Sequence, residues 1–154
     1  MGLILDTSAA IGWVELQDAH LIEWLRENAG DDTPKVHIVT LGELERGILE
    51  ASDEGVRSRR ADTLRFCRDE LSQVSFSDTV GLAHLFGVVS SAVSRKISHN
   101  DCWITAAALG ADDTLVTMDR QLADQLRAAS WGAGHLSRWL RVRGQQLNVV
   151  YLHR

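Results

Sequence analysis

The sequence predicts one α/β domain with three layers, in which helices cover both faces of a mostly parallel central sheet. Two observations lead to this fold class. Short apolar runs recur along the chain, and amphipathic helical patterns separate them. Strands that alternate with helices form βαβ units, and strands buried on both faces are apolar along their whole length. The chain is long enough to bury one such core, so we expect a single domain over residues 1–154.

Five apolar runs are predicted to be strands. They are LIL at 3–5, VHIV at 36–39, VSF at 74–76, TLVTM at 114–118 and LNVVYL at 147–152. The only proline, Pro34, lies in the polar connection before the second run. No repeat or low-complexity linker divides the chain, which supports one domain.

Four helices between these runs are predicted from apolar residues that recur every three or four positions. Their apolar stripes are Leu21, Ile22 and Leu25; Leu41, Leu44 and Ile48; Leu64, Cys67 and Leu71; and Leu82, Leu85, Val89 and Val93. One apolar stripe on each helix is what packing against a sheet requires.

Composition and charge disfavour several classes of protein. The hydrophobic fraction of 45% is typical of a globular protein, and no run of about 18 apolar residues is present to cross a membrane. The net charge of −5 disfavours a protein that coats duplex nucleic acid. The two cysteines match no metal or redox spacing, so we expect both to be reduced packing residues in a cytoplasmic protein.

Four acidic residues lie near predicted helix starts, and three of them directly follow a strand. Asp6 ends the first strand, Glu43 lies just past the second, Asp101 begins the helix DCWITAAAL, and Asp119 follows LVTM. Because the carboxyl ends of parallel strands share one edge of a sheet, where ligands bind, these acids can converge there.

Helix capping is the alternative explanation for each acid. Thr40 and Glu43 fit a T-x-x-E capping box. Asp6 and Asp119 fit plain N-caps, and Asp101 suits the positive end of its helix. Periodicity alone leaves both interpretations open.

The segments around these acids resemble a known family. LILDTSAAIG, TLGELERG, DCWITAAALG and LVTMDRQL are similar, in order and spacing, to the four acidic motifs of the PIN-domain ribonucleases. Within that family they look most like the VapC-type toxins of bacterial toxin–antitoxin pairs. The resemblance covers about residues 2–127, and residues 128–154 form an atypical C-terminal segment, longer than the usual toxin ending.

The resemblance implies a three-layer PIN-like fold and a metal-dependent endoribonuclease. It assigns the catalytic, metal-binding acids to Asp6, Glu43, Asp101 and Asp119, with Thr117 as a supporting hydroxyl. Four nearby carboxylates repel one another, and Mg²⁺ or Mn²⁺ relieves that repulsion because both are hard cations that prefer oxygen ligands. Such a metal activates water and stabilises the leaving oxygen.

The resemblance also implies an RNA substrate, a cognate antitoxin and a homodimer. In the helix AHLIEWLRENAG, the stripe of Leu21, Ile22 and Leu25 is expected to face inward. This leaves Trp24 as an exposed candidate contact for the antitoxin. The alternative is that Trp24 packs against a neighbouring helix.

A run of arginines offers candidate RNA contacts. Arg57, Arg59 and Arg60 could contact phosphates and offset the acidic pocket. The alternative is a solvated helix face with local ion pairs, such as Asp62 with Arg65. A second candidate patch consists of Arg138, Arg141 and Arg143.

Three further side chains lie near the motifs. Trp13 and Trp103 could stack on a base, although aromatic residues of α/β helices usually belong to the core or an interface. His99 is expected to be a loop residue and not a catalytic base.

Two other functions remain open from the residues. A phosphatase or phosphotransferase could use Asp6 as its nucleophile, but such enzymes usually have a second acid two residues later, where this chain has Ser8. A non-catalytic PIN-like binding domain is the other alternative, and the presence of all four acids disfavours it.

Overall fold

The fold is described by a computed structural model that covers residues 2–75 and 78–153. Its strands are β1 Leu3–Leu5, β2 Lys35–Val36, β3 Ser72–Gln73, β4 Thr114–Thr117 and β5 Val149–Tyr151. Its helices are α1 Thr7–Val14, α2 Ala19–Asn28, α3 Ile38–Leu49, α4 Glu54–Asp69, α5 Thr79–Ala92, α6 His99–Ala111, α7 Arg120–Ser130 and α8 His135–Arg143. The predicted α/β class is confirmed.

The strands form one sheet in the order β3-β2-β1-β4-β5, and all four neighbouring pairs are parallel. From the central strand β1 the chain builds outward to β2 and β3 on one side, and then to β4 and β5 on the other. The chain order therefore reverses between β1 and β4. In open parallel sheets, ligands bind at the carboxyl ends of the strands at such a reversal.

Alternating side chains of the central strands divide the core into two layers. Ile4 of β1 and Leu115 of β4 lie in a cluster with apolar residues of α5, α6, α7 and α8. Leu5 of β1 and Val116 of β4 lie in the opposite cluster, which α1, α2, α3 and α4 complete. Successive residues of a strand point to opposite faces, so a continuous apolar run fills both layers.

The second and third strands differ from the prediction. Residues 36–39 were expected to be a strand, but β2 ends at Val36 and α3 begins at Ile38. The ring Nδ1 of His37 accepts a hydrogen bond from the Val39 amide at 3.1 Å, which caps the helix. β3 lies at 72–73 and not at 74–76, and Phe76 lies outside the described residues. Short apolar runs cannot be assigned from periodicity alone, because a strand and a first helical turn look alike.

A partly buried ion pair holds the amino-terminal ends of the central strands. Asp113, just before β4, accepts hydrogen bonds from the Lys35 ammonium at 2.7 Å and from the Gly2 amide at 3.0 Å. These contacts join the starts of β1, β2 and β4. The three strands that surround the reversal are thereby fixed relative to one another.

The described part of the chain agrees with two expectations from composition. Cys67 and Cys102 are buried and form no disulfide, and burial raises the pKa of each thiol to about 11. Both thiols are therefore protonated packing groups near neutral pH. Among the described helices, none is long and apolar enough to cross a membrane.

Candidate metal-binding active site

Asp6 lies at the reversal point and is almost completely buried, with 1% of the residue exposed. It is the N-cap of α1, as the capping interpretation expected, and its Oδ1 accepts hydrogen bonds from the Ala9 amide at 2.8 Å and the Ser8 hydroxyl at 2.7 Å. The Thr117 hydroxyl donates to its Oδ2. Burial nevertheless raises the pKa of Asp6 to about 6, against the lowering effect of these bonds.

Hydroxyl groups connect Asp6 to the end of β4. The Thr117 hydroxyl accepts a bond from the Asp119 amide at 2.9 Å, and the Ser8 hydroxyl accepts one from the Met118 amide at 2.9 Å. Asp119 is the N-cap of α7, as expected, and accepts a bond from the Leu122 amide. These hydrogen bonds between backbone amides and side-chain hydroxyls link the carboxyl ends of β1 and β4.

Glu43 reaches the same region from the middle of α3. The predicted capping box with Thr40 is wrong, because α3 begins at Ile38 and both residues lie inside the helix. The Thr7 hydroxyl, in the first turn of α1, donates to Glu43 Oε1 at 2.8 Å and lies 3.2 Å from the Thr40 hydroxyl. This bond therefore holds the Glu43 side chain beside Thr7, the residue that directly follows Asp6.

Asp101 lies in the first turn of α6, which starts two residues earlier than predicted. Ser98 is the N-cap and bonds Asp101 reciprocally: its hydroxyl accepts from the Asp101 amide at 3.1 Å and donates to Oδ2 at 2.8 Å. His99, expected in a loop, is the first residue of the helix, and its ring lies edge-on to Phe86.

The four acids act on one another electrostatically. Burial is the largest cause of a raised pKa at Asp101, and the bond from Ser98 acts against it. The negative charges of Glu43 and Asp119 raise that pKa further. The charge of Asp101 in turn raises the pKa of Asp6. Electrostatic coupling therefore links acids from four distant segments, and we call these four residues the acidic rim.

The acidic rim suits a hard divalent cation in its donor atoms and in its charge. Within the described residues, none of the four carboxylates forms an ion pair with a lysine or arginine. In the same part of the chain, no three acidic, histidine or cysteine side chains converge closely enough to enclose a metal ion. A cation that keeps several waters and uses one or two carboxylates, as Mg²⁺ does, fits this open arrangement.

Comparison with known proteins agrees with this geometry. The family model described as "PIN domain" matches residues 3–126. This chain belongs to the PIN-domain family. A curated relative, Ribonuclease VapC8 from Mycobacterium tuberculosis (strain CDC 1551 / Oshkosh), is 38% identical over 91 residues, which cover 54% of this chain and 80% of that protein. The predicted resemblance is confirmed.

Solved structures share the fold of this PIN domain. VapBC-1 from nontypeable Haemophilus influenzae has a TM-score of 0.68 at 14% identity, covering 98% of both chains. VapBC-5 from Mycobacterium tuberculosis, a member of the VapBC family of toxin-antitoxin systems, has a TM-score of 0.64 at 21% identity, covering 99% of this chain and 100% of that one. At these identities the likeness shows the three-layer fold and nothing further.

Sequence reasoning missed the hydroxyls that orient the acids. Thr7 and Ser8 follow Asp6 directly, and Ser98 precedes Asp101 by three residues. The S-x-x-D spacing at 98–101 is a signal for a reciprocal cap that could have been recognised. No local pattern could reveal the Thr7 bond to a residue 36 positions away.

Two of the three α4 arginines that were predicted to contact RNA bond to other groups of the protein. Arg57 pairs with Glu54 at 2.8 Å, and Arg60 donates to the Gly47 carbonyl of α3. Arg59 is exposed. The expected alternative, a solvated face with local pairs, describes most of this helix, and RNA contact by these arginines stays a prediction.

The tryptophans near the motifs pack within the protein. Trp13 lies edge-on to Phe66 at 5.2 Å between ring centroids, and Trp103 stacks on Phe86 at 4.1 Å. Trp24 is half-buried and packs against the core cluster that contains Leu21 and Leu25, as the alternative expected, and its contact with an antitoxin stays a prediction. An indole has enough apolar area to reach this core from the flank of the α2 stripe.

Proposed function

We propose that this PIN domain is an endoribonuclease whose acidic rim works with Mg²⁺ or Mn²⁺, and that it is the toxin of a toxin–antitoxin pair. The observation that carries the proposal is the acidic rim itself. Four carboxylates that form no ion pair in the described part of the chain act electrostatically on one another near the chain reversal of the sheet. Such an arrangement suits a divalent cation that binds a phosphodiester.

Each acid has a distinct environment for this role. Asp6 is the buried member of the acidic rim, and its carboxylate accepts hydrogen bonds from Ser8, Thr117 and the Ala9 amide. Asp101 lies in the first turn of α6 and Asp119 is the N-cap of α7, and the positive ends of these helices favour negative charge there. When bound, Mg²⁺ or Mn²⁺ supplies an activated water and charge stabilisation at the phosphate. The side chains themselves orient this site and require no histidine base.

An aspartyl-phosphate mechanism is disfavoured by the surroundings of Asp6. A nucleophilic carboxylate needs an oxygen that can approach the substrate. Both oxygens of Asp6 accept hydrogen bonds, and the residue is buried.

Cleavage of RNA by the purified chain tests the proposal. We expect Mg²⁺ or Mn²⁺ to support cleavage of labelled single-stranded RNA, and EDTA to abolish it because it removes the cation that would supply the activated water and the charge stabilisation. DNA of the same sequence is the matched control substrate. Cleavage that persists in EDTA would contradict the metal-dependent mechanism, and intact RNA under all conditions would favour a non-catalytic domain.

The partners are part of the same proposal. VapBC-5, a structural neighbour, is described as a member of a toxin-antitoxin family, and a cytoplasmic ribonuclease that can cleave cellular RNA needs such restraint. We propose a cognate antitoxin, with Trp24 on its contact surface, and a homodimer. Because Trp24 also contacts the core, Trp24→Ala is expected to lower stability as well as affinity, so both must be measured.

Thr7 gives a test of the role of Glu43. Thr7→Val keeps the shape of the side chain but removes the hydroxyl that donates to Glu43 at 2.8 Å. We expect Mn²⁺ affinity, measured by calorimetry, to fall about tenfold or more, as for other residues that orient metal ligands. Thr7→Ser retains the hydroxyl and should bind Mn²⁺ like the wild type. Equal Mn²⁺ affinity of the valine and serine variants would show that the bond from Thr7 to Glu43 does not contribute to metal binding.

A further inference from the structure

The carboxyl-terminal segment has a different charge from the rest of the chain. Residues 125–154 contain five arginines and no aspartate or glutamate, so all 21 acidic residues lie in residues 1–124. Nearly all of this basic segment lies beyond residues 3–126, which match the PIN family. A basic segment on an acidic protein is typical of a surface that binds a polyanion.

The arginines of α8 carry charges that no acid neutralises. Arg138, Arg141 and Arg143 are exposed, and none forms an ion pair in the part of the chain that the structure describes. Three of the five arginines of α4 differ, because they are paired with nearby acids: Arg57 with Glu54, Arg65 with Asp62, and Arg68 with Asp69. The α8 arginines therefore have more charge to offer to a phosphate than those of α4.

An exposed tryptophan directly precedes the glycine whose carbonyl Arg141 contacts. Trp131, at the end of α7, is 85% exposed, the largest value among the exposed large hydrophobic residues that are described. The carbonyl of the next residue, Gly132, accepts hydrogen bonds from the Ser137 hydroxyl at 2.6 Å and the Arg141 guanidinium at 3.1 Å. These bonds hold the turn that carries Trp131 against the basic face of α8.

We propose that Trp131, Arg138 and Arg141 form a subsite for single-stranded RNA, an inference that rests on the proposed ribonuclease function. Single-stranded RNA presents unpaired bases, which stack on aromatic rings, and phosphates, which pair with guanidinium groups. An acidic peptide would use the arginines but would leave the exposed indole without a flat partner. The combination of the two side-chain types favours RNA.

The subsite is distinct from the acidic rim. Asp119 caps the start of α7 and Trp131 follows its last residue, so the helix separates them by about 16 Å at 1.5 Å per residue. RNA that fills only the acidic rim does not extend along this helix. The subsite therefore acts on affinity for longer RNA and leaves the chemistry of the rim unchanged.

Binding without cleavage tests the subsite directly. Fluorescence anisotropy of a labelled single-stranded oligouridylate is measured with the full chain in EDTA, at several salt concentrations. The double variant Arg138→Gln/Arg141→Gln should lower the slope of log affinity against log salt by about 1.4, since each phosphate contact contributes about 0.7 for single strands. Trp131→Ala should weaken binding about fivefold or more through the loss of stacking.

A matched control removes the same charge elsewhere. Arg65→Gln/Arg68→Gln changes two exposed, ion-paired arginines of α4 and should leave the salt slope unchanged. If the salt slope falls equally in the two double variants, the effect comes from the net charge of the protein, and the proposal is overturned. Arg138→Gln alone serves as a second variant, because no side-chain hydrogen bond of Arg138 is found among the described residues, and it should lower the slope by about half as much.

Two further outcomes separate this proposal from others. If the wild type cleaves RNA with Mg²⁺ or Mn²⁺ while the α8 variants bind oligouridylate normally, the ribonuclease function stands and the subsite is wrong. If the α8 variants bind oligouridylate normally but lose affinity for a polyglutamate peptide, the face binds an acidic protein segment, and the RNA proposal is overturned.

Discussion

Asp101→Asn should lower the rate of metal-dependent RNA cleavage by about 100-fold or more, the upper end of what disturbance of a metal site commonly causes. Asp101 is the acid whose charge couples to the other three, through Glu43 and Asp119 on one side and Asp6 on the other. The amide can still bond to Ser98, so the start of α6 is preserved while the negative charge is lost. Single-turnover cleavage of labelled RNA measures the effect, with circular dichroism to confirm folding.

The same helix provides the control for this substitution. Asp112, at the opposite end of α6, is exposed and has a positive φ of 55°, a conformation that asparagine also adopts readily. Asp112→Asn removes the same charge from the same helix and should leave cleavage unchanged. Asp119→Asn is expected to behave like Asp101→Asn. Wild-type cleavage by the Asp101 variant would exclude this acid from the metal site.

The sheet could be predicted from the sequence because buried parallel strands have a distinctive composition. The apolar runs at 3–5 and 114–118 match β1 and β4, which are paired in the middle of the sheet and covered on both faces. Towards the edge, β2 and β3 contain two residues each, and such short strands have no period of their own. The prediction of a strand at 36–39 was wrong because the apolar residues that follow β2 belong to α3.

The positions of the acids could be predicted, but the contacts that orient them could not. Three acids follow strands or begin helices, and these local features are visible in the sequence. The bond from Thr7 to Glu43 and the bond from Thr117 to Asp6 join residues 36 and 111 positions apart. Such contacts depend on strand order and on the exact rotation of α3, which only the folded structure determines.

Asp6→Asn should make the metal-free protein more stable near neutral pH, although it removes a proposed metal ligand. Burial raises the pKa of Asp6 from its ordinary value of 3.8 to about 6. Between these two values the folded state holds a proton that the unfolded state releases, so stability falls as the pH rises through this window. Above it, the charged carboxylate destabilises the fold by about 3 kcal/mol, at 1.36 kcal/mol per pKa unit. A neutral amide has no such penalty and can keep the cap of α1.

Urea unfolding in EDTA across this pH range measures the effect. The wild type should lose stability relative to Asp6→Asn as the pH rises from about 4 to 6, and the difference should then stay constant. Asp53→Asn is the control, since Asp53 is the exposed N-cap of α4 and this variant still contains the buried Asp6. Added Mn²⁺ should stabilise the wild type, because an ion that binds only the folded state favours that state by mass action. It should not stabilise Asp6→Asn, which lacks the carboxylate proposed to bind the ion. A variant less stable than the wild type near neutral pH in EDTA would mean that the bonds from Ser8, Thr117 and Ala9 outweigh the burial of the charge.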